Sequence, residues 1–310
     1  MKPLVAIAAA STLIGCATPP ALSAHTQQKI STEQATSEDA ARRIAAELNA
    51  IEQRTGGTLA VALLDRNGQP LILRNSSTPM ATCSAFKFQL AAAALDAARK
   101  GEFDLDTPIA FDKAALPGYS PVLEKDTDSA VTLGEAIEAA LTLSDNGATN
   151  IIMRALGGPR KVSERFNLMR DFQIRMHRYE TDLNQNAKGD LRDTSNAIGF
   201  AQAIHRLALS DMLHPDDRVT LLRLSAASTT GLDRVRAGLP EGWKVGDKTG
   251  TCKPEGHEDQ QINDIGWIET PAGFFSFAVL VQRPTAPGRD VKAAMADVGR
   301  LMALAIQDLP

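Results

Sequence analysis

Apolar residues change their spacing twice along this chain. Ser37, followed by Glu38 and Asp39, reads as a helix start with acids on the positive end of the dipole. Ile44, Leu48 and Ile51 then recur at helical spacing until Gly56-Gly57 stops them. Leu59 to Asp65 and Leu71 to Arg74 are apolar runs of strand length, on either side of an Asn67-Gly68 turn signal. The middle of the chain returns to helical spacing. Phe86 to Lys100 is rich in Ala and Leu and ends at Gly101, and Leu133 to Leu143, Asn146 to Leu156 and Ala197 to Leu209 follow as further helices. Strand patterns resume in Trp243 to Thr251, Ile262 to Glu269 and Phe274 to Gln282, the last two joined by Pro271-Ala272-Gly273. Val291 to Ile306 closes as an amphipathic helix. This order predicts a mixed α/β plus all-α fold. An antiparallel sheet built from both chain ends (37–75 and 228–310) would be flanked by terminal helices, with an all-helical lobe (76–227) inserted between.

The first residues follow another logic. Lys2, the apolar stretch Leu4 to Ile14 and the small residues after it have the composition of a secretory signal over residues 1–24. Two processing routes are compatible with it. Leu13-Ile14-Gly15-Cys16 looks like a lipobox that would make Cys16 a lipidated N-terminus and tether the protein to a membrane, whereas ordinary cleavage would fall after Ala17 or near Ala24. Either route predicts an exported, periplasmic protein. Residues 25–36, rich in Gln, Ser and Thr, read as a flexible tether. The formal charge of −4 supplies no basic field, so nucleic acid is an unsuitable partner. In an oxidising compartment the remaining cysteines, Cys83 and Cys252, are candidates for a bridge, the alternative being two reduced buried thiols.

Three short motifs carry the chemistry: Ser84-Ala85-Phe86-Lys87, Ser144-Asp145-Asn146 and Lys248-Thr249-Gly250. Each alone arises easily by chance. Their occurrence together, in this order, is the signature of class A β-lactamases and penicillin-binding proteins, and the chain resembles a class A serine β-lactamase. Ser84 at a helix start would be the nucleophile, favoured by free backbone N–H groups and the positive dipole end. Lys87 falls on the same helical face. Ser144 is suited to passing a proton to the leaving nitrogen, and Asn146 to gripping a substrate amide. Asp145 reads as the residue that holds their loop. Lys248 and Thr249 offer a cation and a hydroxyl to the ring carboxylate, and Gly250 lets substrate approach the strand.

The resemblance implies more over residues 37–308. Arg178-Tyr179-Glu180-Thr181-Asp182-Leu183-Asn184, with Asp190 to Thr194, is similar to the Ω loop of the family, here 178–193. It implies Glu180 as the general base of deacylation, Asn184 as a holder of the attacking water, Asn150 as a partner of that glutamate, and an Arg178–Asp193 pair across the neck. The N–H groups of Ser84 and Thr251 would form the oxyanion hole, Tyr119 the aromatic wall, and Arg234 a contact to the substrate carboxylate. A Cys83–Cys252 pair beside the nucleophile resembles the subgroup that includes carbapenem-hydrolysing enzymes. No cofactor is implied. The five histidines (25, 177, 205, 214 and 257) are scattered, which excludes a zinc lactamase. The implied partners are β-lactam small molecules, and the implied state is a monomer. A penicillin-binding peptidase and a drug sensor share the three motifs, but both depend on slow deacylation and have no use for the Glu180–Asn184 water site. The stretch from Lys253 to Gln261 departs from the family by being longer and more charged.

Overall fold

A computed structural model describes residues 24–185, 187–253 and 260–309. The signal segment with Cys16 and most of the 253–261 loop lie outside the described residues. Helix α1 spans Ala24–Thr55 and so begins before Ser37, where the sequence pattern places its start. No Gly or Pro interrupts the chain from Ala24 to Thr55, and its Gln, Lys, Glu and Ala residues are good helix formers. Residues 46–310 form one compact unit, and the chain through Ala45 belongs to another.

In chain order, α1 leads into β1 (Thr58–Leu64), β2 (Pro70–Arg74) and the short β3 (Met80–Ala81), then a 3-10 turn (Cys83–Phe86) that runs into α2 (Lys87–Arg99). Next come β4 (Pro108–Ala110), β5 (Ala130–Thr132), α3 (Leu133–Thr142), α4 (Asn146–Ala155), α5 (Pro159–Leu168), β6 (Thr194–Ser195), α6 (Ala197–Leu209) and α7 (Pro215–Ala226). The chain ends with β7 (Lys244–Cys252), β8 (Gln261–Thr270), β9 (Gly273–Gln282) and α8 (Gly288–Gln307). The main sheet is antiparallel, in the order β2-β1-β9-β8-β7. It therefore combines strands from both chain ends, as the pattern predicts.

The continuous apolar strands follow from burial on both faces. Ala60, Ala62 and Leu64 join the core that contains Phe200, Ala201 and Ile204 of α6. Their alternates Leu59, Val61 and Leu63 are equally buried on the other face of the sheet. The hairpin between β1 and β2 turns at Gly68, whose φ of +75° suits glycine, while Asp65 Oδ1 accepts from the N–H groups of Asn67 and Gln69, both at 2.8 Å. Helix α2 is buried along almost its whole length, and its run of alanines allows neighbouring helices to pack on every side. Two helices, α5 and α7, escape the sequence pattern. Both start at a proline and bury few apolar side chains, Val162 and Phe166 in α5 and Leu221 and Leu224 in α7.

Candidate active site

Local rules bring the three motifs together. Ser84 lies in the 3-10 turn that feeds α2, so its backbone is at the N-terminal end of a continuous helical segment, and Lys87 is fully buried one turn on. Asp145 caps α4 by accepting from Ala148 N at 2.9 Å. Its other oxygen takes the N–H groups of Val122 (2.9 Å) and Leu123 (3.1 Å), so one carboxylate ties α4 to the 119–123 segment. Ser144, with φ of +60°, sits in the turn before that cap. Strand β7 is the edge of the sheet, which leaves one row of its backbone donors unpaired by any neighbouring strand. A Cβ on Gly250 would meet Thr82 O at 2.8 Å and Ala85 N at 3.1 Å, so only glycine lets β7 pass this close to the Ser84 turn. The Cys83–Cys252 disulfide joins the same two segments, with the Cα atoms 5.6 Å apart.

Glu180 stands at the centre of the polar contacts. Its Oε1 accepts from Ser84 Oγ at 3.3 Å and lies 3.1 Å from Lys87 Nζ. Its Oε2 accepts from Asn184 Nδ2 at 2.8 Å. Asn150 clamps its backbone from both sides, donating to Glu180 O at 2.7 Å and accepting from Glu180 N at 2.9 Å. Lys87 also donates to Ser144 O (2.9 Å) and Asn146 Oδ1 (2.6 Å). Lys87 thus meets Glu180, Ser144 and Asn146, and Glu180 bridges it to the Ser84 hydroxyl. Burial lowers the Lys87 pKa, and the nearby Glu180 carboxylate opposes that shift.

Lys248 donates to Ser144 Oγ at 3.0 Å and to Thr249 O at 2.8 Å. Burial pushes its pKa well below the usual lysine range, and the cations of Lys87 and Arg234 add to the effect. Thr249 Oγ1 shares a hydrogen bond with Thr230 Oγ1 at 2.8 Å. Arg234 is 5% exposed. It donates to Gly250 O (3.0 Å), to Asn263 O and to Thr251 Oγ1 (2.7 Å), so its guanidinium supports β7 from within. Asn146 is held by Gly118 O, which accepts from its Nδ2 at 2.7 Å, and Tyr119 beside it is 61% exposed. Arg178 Nε donates to the buried Asp193 at 2.6 Å, and Asp193 also accepts from His177 N at 2.6 Å.

Asn263 lies in the strand that follows the lysine motif, and its role here is structural. Its Nδ2 donates to Ala81 O (2.9 Å) and Thr82 O (3.0 Å), which pins β8 to the segment before Ser84. The amide is fully buried, so these two carbonyls satisfy a polar group that water cannot reach. No group of three metal-ligating side chains occurs among the described residues.

A family model described as the β-lactamase enzyme family matches residues 43–306. The carbapenem-hydrolyzing β-lactamase KPC of Klebsiella oxytoca is 34% identical over 84% of this chain and 86% of its own. The β-lactamase OXY-2 of the same organism is 37% identical over 79% of this chain and 82% of its own. Among solved structures, an ancestral (GNCA) class A β-lactamase superposes with a TM-score of 0.80 at 39% identity, covering 84% of this chain and 99% of that one. The chain belongs to the β-lactamase enzyme family, and within it to the class A serine β-lactamases, hydrolases of the β-lactam ring.

Proposed function

We propose that this chain opens the β-lactam amide through an acyl-enzyme on Ser84, which a water activated by Glu180 then hydrolyses. The observation that carries the reading is the position of the Glu180 carboxylate. One oxygen is within reach of both Ser84 Oγ and Lys87 Nζ, and the other is held by Asn184. That arrangement suits a base that takes a proton from a water aimed at an ester on Ser84. In the first half-reaction, Ser84 attacks the lactam carbonyl while its proton leaves through Lys87 or Glu180. The N–H groups of Ser84 and Thr251 receive the oxyanion, a contribution of about 3–4 kcal/mol per donor in acyl-transfer enzymes. Ser144, linked to Lys248 and near Lys87, returns a proton to the leaving nitrogen. Lys248 and Thr249 hold the ring carboxylate, with Arg234 as the further cation that contacts it from beneath the strand whose Gly250 and Thr251 it hydrogen-bonds.

Penicillins and cephalosporins are the proposed substrates, with drug resistance as the consequence in the cell. Carbapenem hydrolysis is a second reading, favoured by the Cys83–Cys252 bridge and by the activity in the name of the KPC relative. Export through the N-terminal signal, with Cys16 as the lipidation candidate, and a monomeric state complete the proposal. The deciding experiment is acylation and turnover of Glu180→Gln. This variant is expected to bind a penicillin covalently and to accumulate acyl-enzyme visible by mass spectrometry, with turnover reduced at least a hundredfold. Turnover like that of the unsubstituted enzyme contradicts the assignment.

A further inference from the structure

Along α4, which Asp145 caps and Asn146 begins, lies a hollow of about 420 Å³ that the proposed chemistry does not use. Its walls are apolar: Ile109 and Phe111 from the β4 side, Leu116 from the following loop and Ile151 from α4. Its volume is within the range of small-molecule sites. Two charges lie on its lining. Asp112 is occupied as a cap, accepting from Ala114 N at 2.9 Å. Arg154 has no carboxylate partner among the described residues, and its guanidinium rests over the Tyr179 ring, 5.5 Å from the centroid.

We infer that this hollow is a second binding site for an amphipathic monocarboxylate, with the apolar body against Ile109, Phe111, Leu116 and Ile151 and the carboxylate on Arg154. An apolar cavity with one cation lacking an anionic partner is complementary to such a ligand. Burial of the chain supplies affinity, and the charge-assisted contact to guanidinium fixes its orientation. The site adjoins the catalytic residues on two sides. The loop wall continues from Leu116 to Gly118, whose carbonyl holds Asn146, and Arg154 touches the ring of the residue before Glu180.

The test is calorimetric titration of the intact protein with decanoate, using decanol as an uncharged control. One saturable site is expected, with decanol bound at least about tenfold more weakly. Arg154→Gln should weaken decanoate about tenfold and bring it level with decanol. Ala155→Trp, which fills the rim from an exposed position, should abolish binding of both. Unchanged melting temperatures would show that both variants fold. Absence of saturable binding overturns the inference, as does equal decanoate affinity in both variants. Competitive inhibition of cephalosporin hydrolysis by decanoate also overturns it, because the ligand would then occupy the catalytic cleft. The binding readout does not depend on turnover, so failure of the proposed mechanism and failure of this site are distinguishable.

Discussion

Glu180, Lys87, Lys248 and Ser144 are buried together, and each side chain is tolerable there only because the others satisfy it. Two buried lysine ammonium groups this close repel each other, and burial adds to the cost of charging both. Glu180 and the oxygens around Lys87 offset part of that cost, which keeps the reactive groups in place. Away from the site, Asp171 provides a cleaner test of the same physics. It is 3% exposed, and burial pushes its carboxyl up to about 6 against the pull of Arg206. Because the folded state holds this proton more tightly than the unfolded chain, the resulting stability is present at low pH and is lost as pH rises through 6. Asp171→Asn is therefore expected to be more stable than the parent by about 1–3 kcal/mol at pH 8, with the gain shrinking towards zero by pH 4. Urea titrations at both pH values check this, and a difference that does not change with pH contradicts it.

At the scale of elements, the site is a meeting of the Ser84 turn, the cap of α4, the edge strand β7 and the 178–193 segment. Their joints are visible: Asp145 from α4 to the 119–123 segment, Asn263 from β8 to the turn, Asn150 from α4 to Glu180, and the disulfide from the turn to β7. The bridge spans 169 residues of sequence, so in the chain-entropy picture it removes much of the freedom of the unfolded chain. The double variant Cys83→Ser/Cys252→Ser should lose about 2–5 kcal/mol of stability, measured by denaturant unfolding under matched oxidising conditions. Turnover should fall as well, because Ser84 and Thr251 flank the bridge directly. A variant as stable and active as the parent would show that packing of the turn on β7 suffices without the covalent link.

For the whole molecule, β9 is the strand that joins the two ends of the chain, pairing with β1 on one side and β8 on the other. A chain ending at Ala272 lacks both that strand and α8, and is expected to show no cooperative melting transition by calorimetry. A sharp transition in that truncation would mean that the helical block folds alone. Much of this architecture was legible in the sequence. The apolar runs at both ends and the helical spacing between them follow from local chemistry, strand burial and helix amphipathicity, whereas the three ordered motifs were legible through their resemblance to a known family. Features that rest on weak local signals were not legible, such as the start of α1 at Ala24 and the helices α5 and α7, which bury only a few apolar side chains each. The sequence by itself determined which residue types could do acyl-transfer chemistry and which elements would carry them. Only the tertiary structure decided that Lys87 meets Glu180 and Asn146, that Arg234 supports β7 from within, and that Asn263 pins two segments far apart in the chain. Those choices depend on which polar groups become buried beside one another, a property of packing that no local pattern of residues encodes.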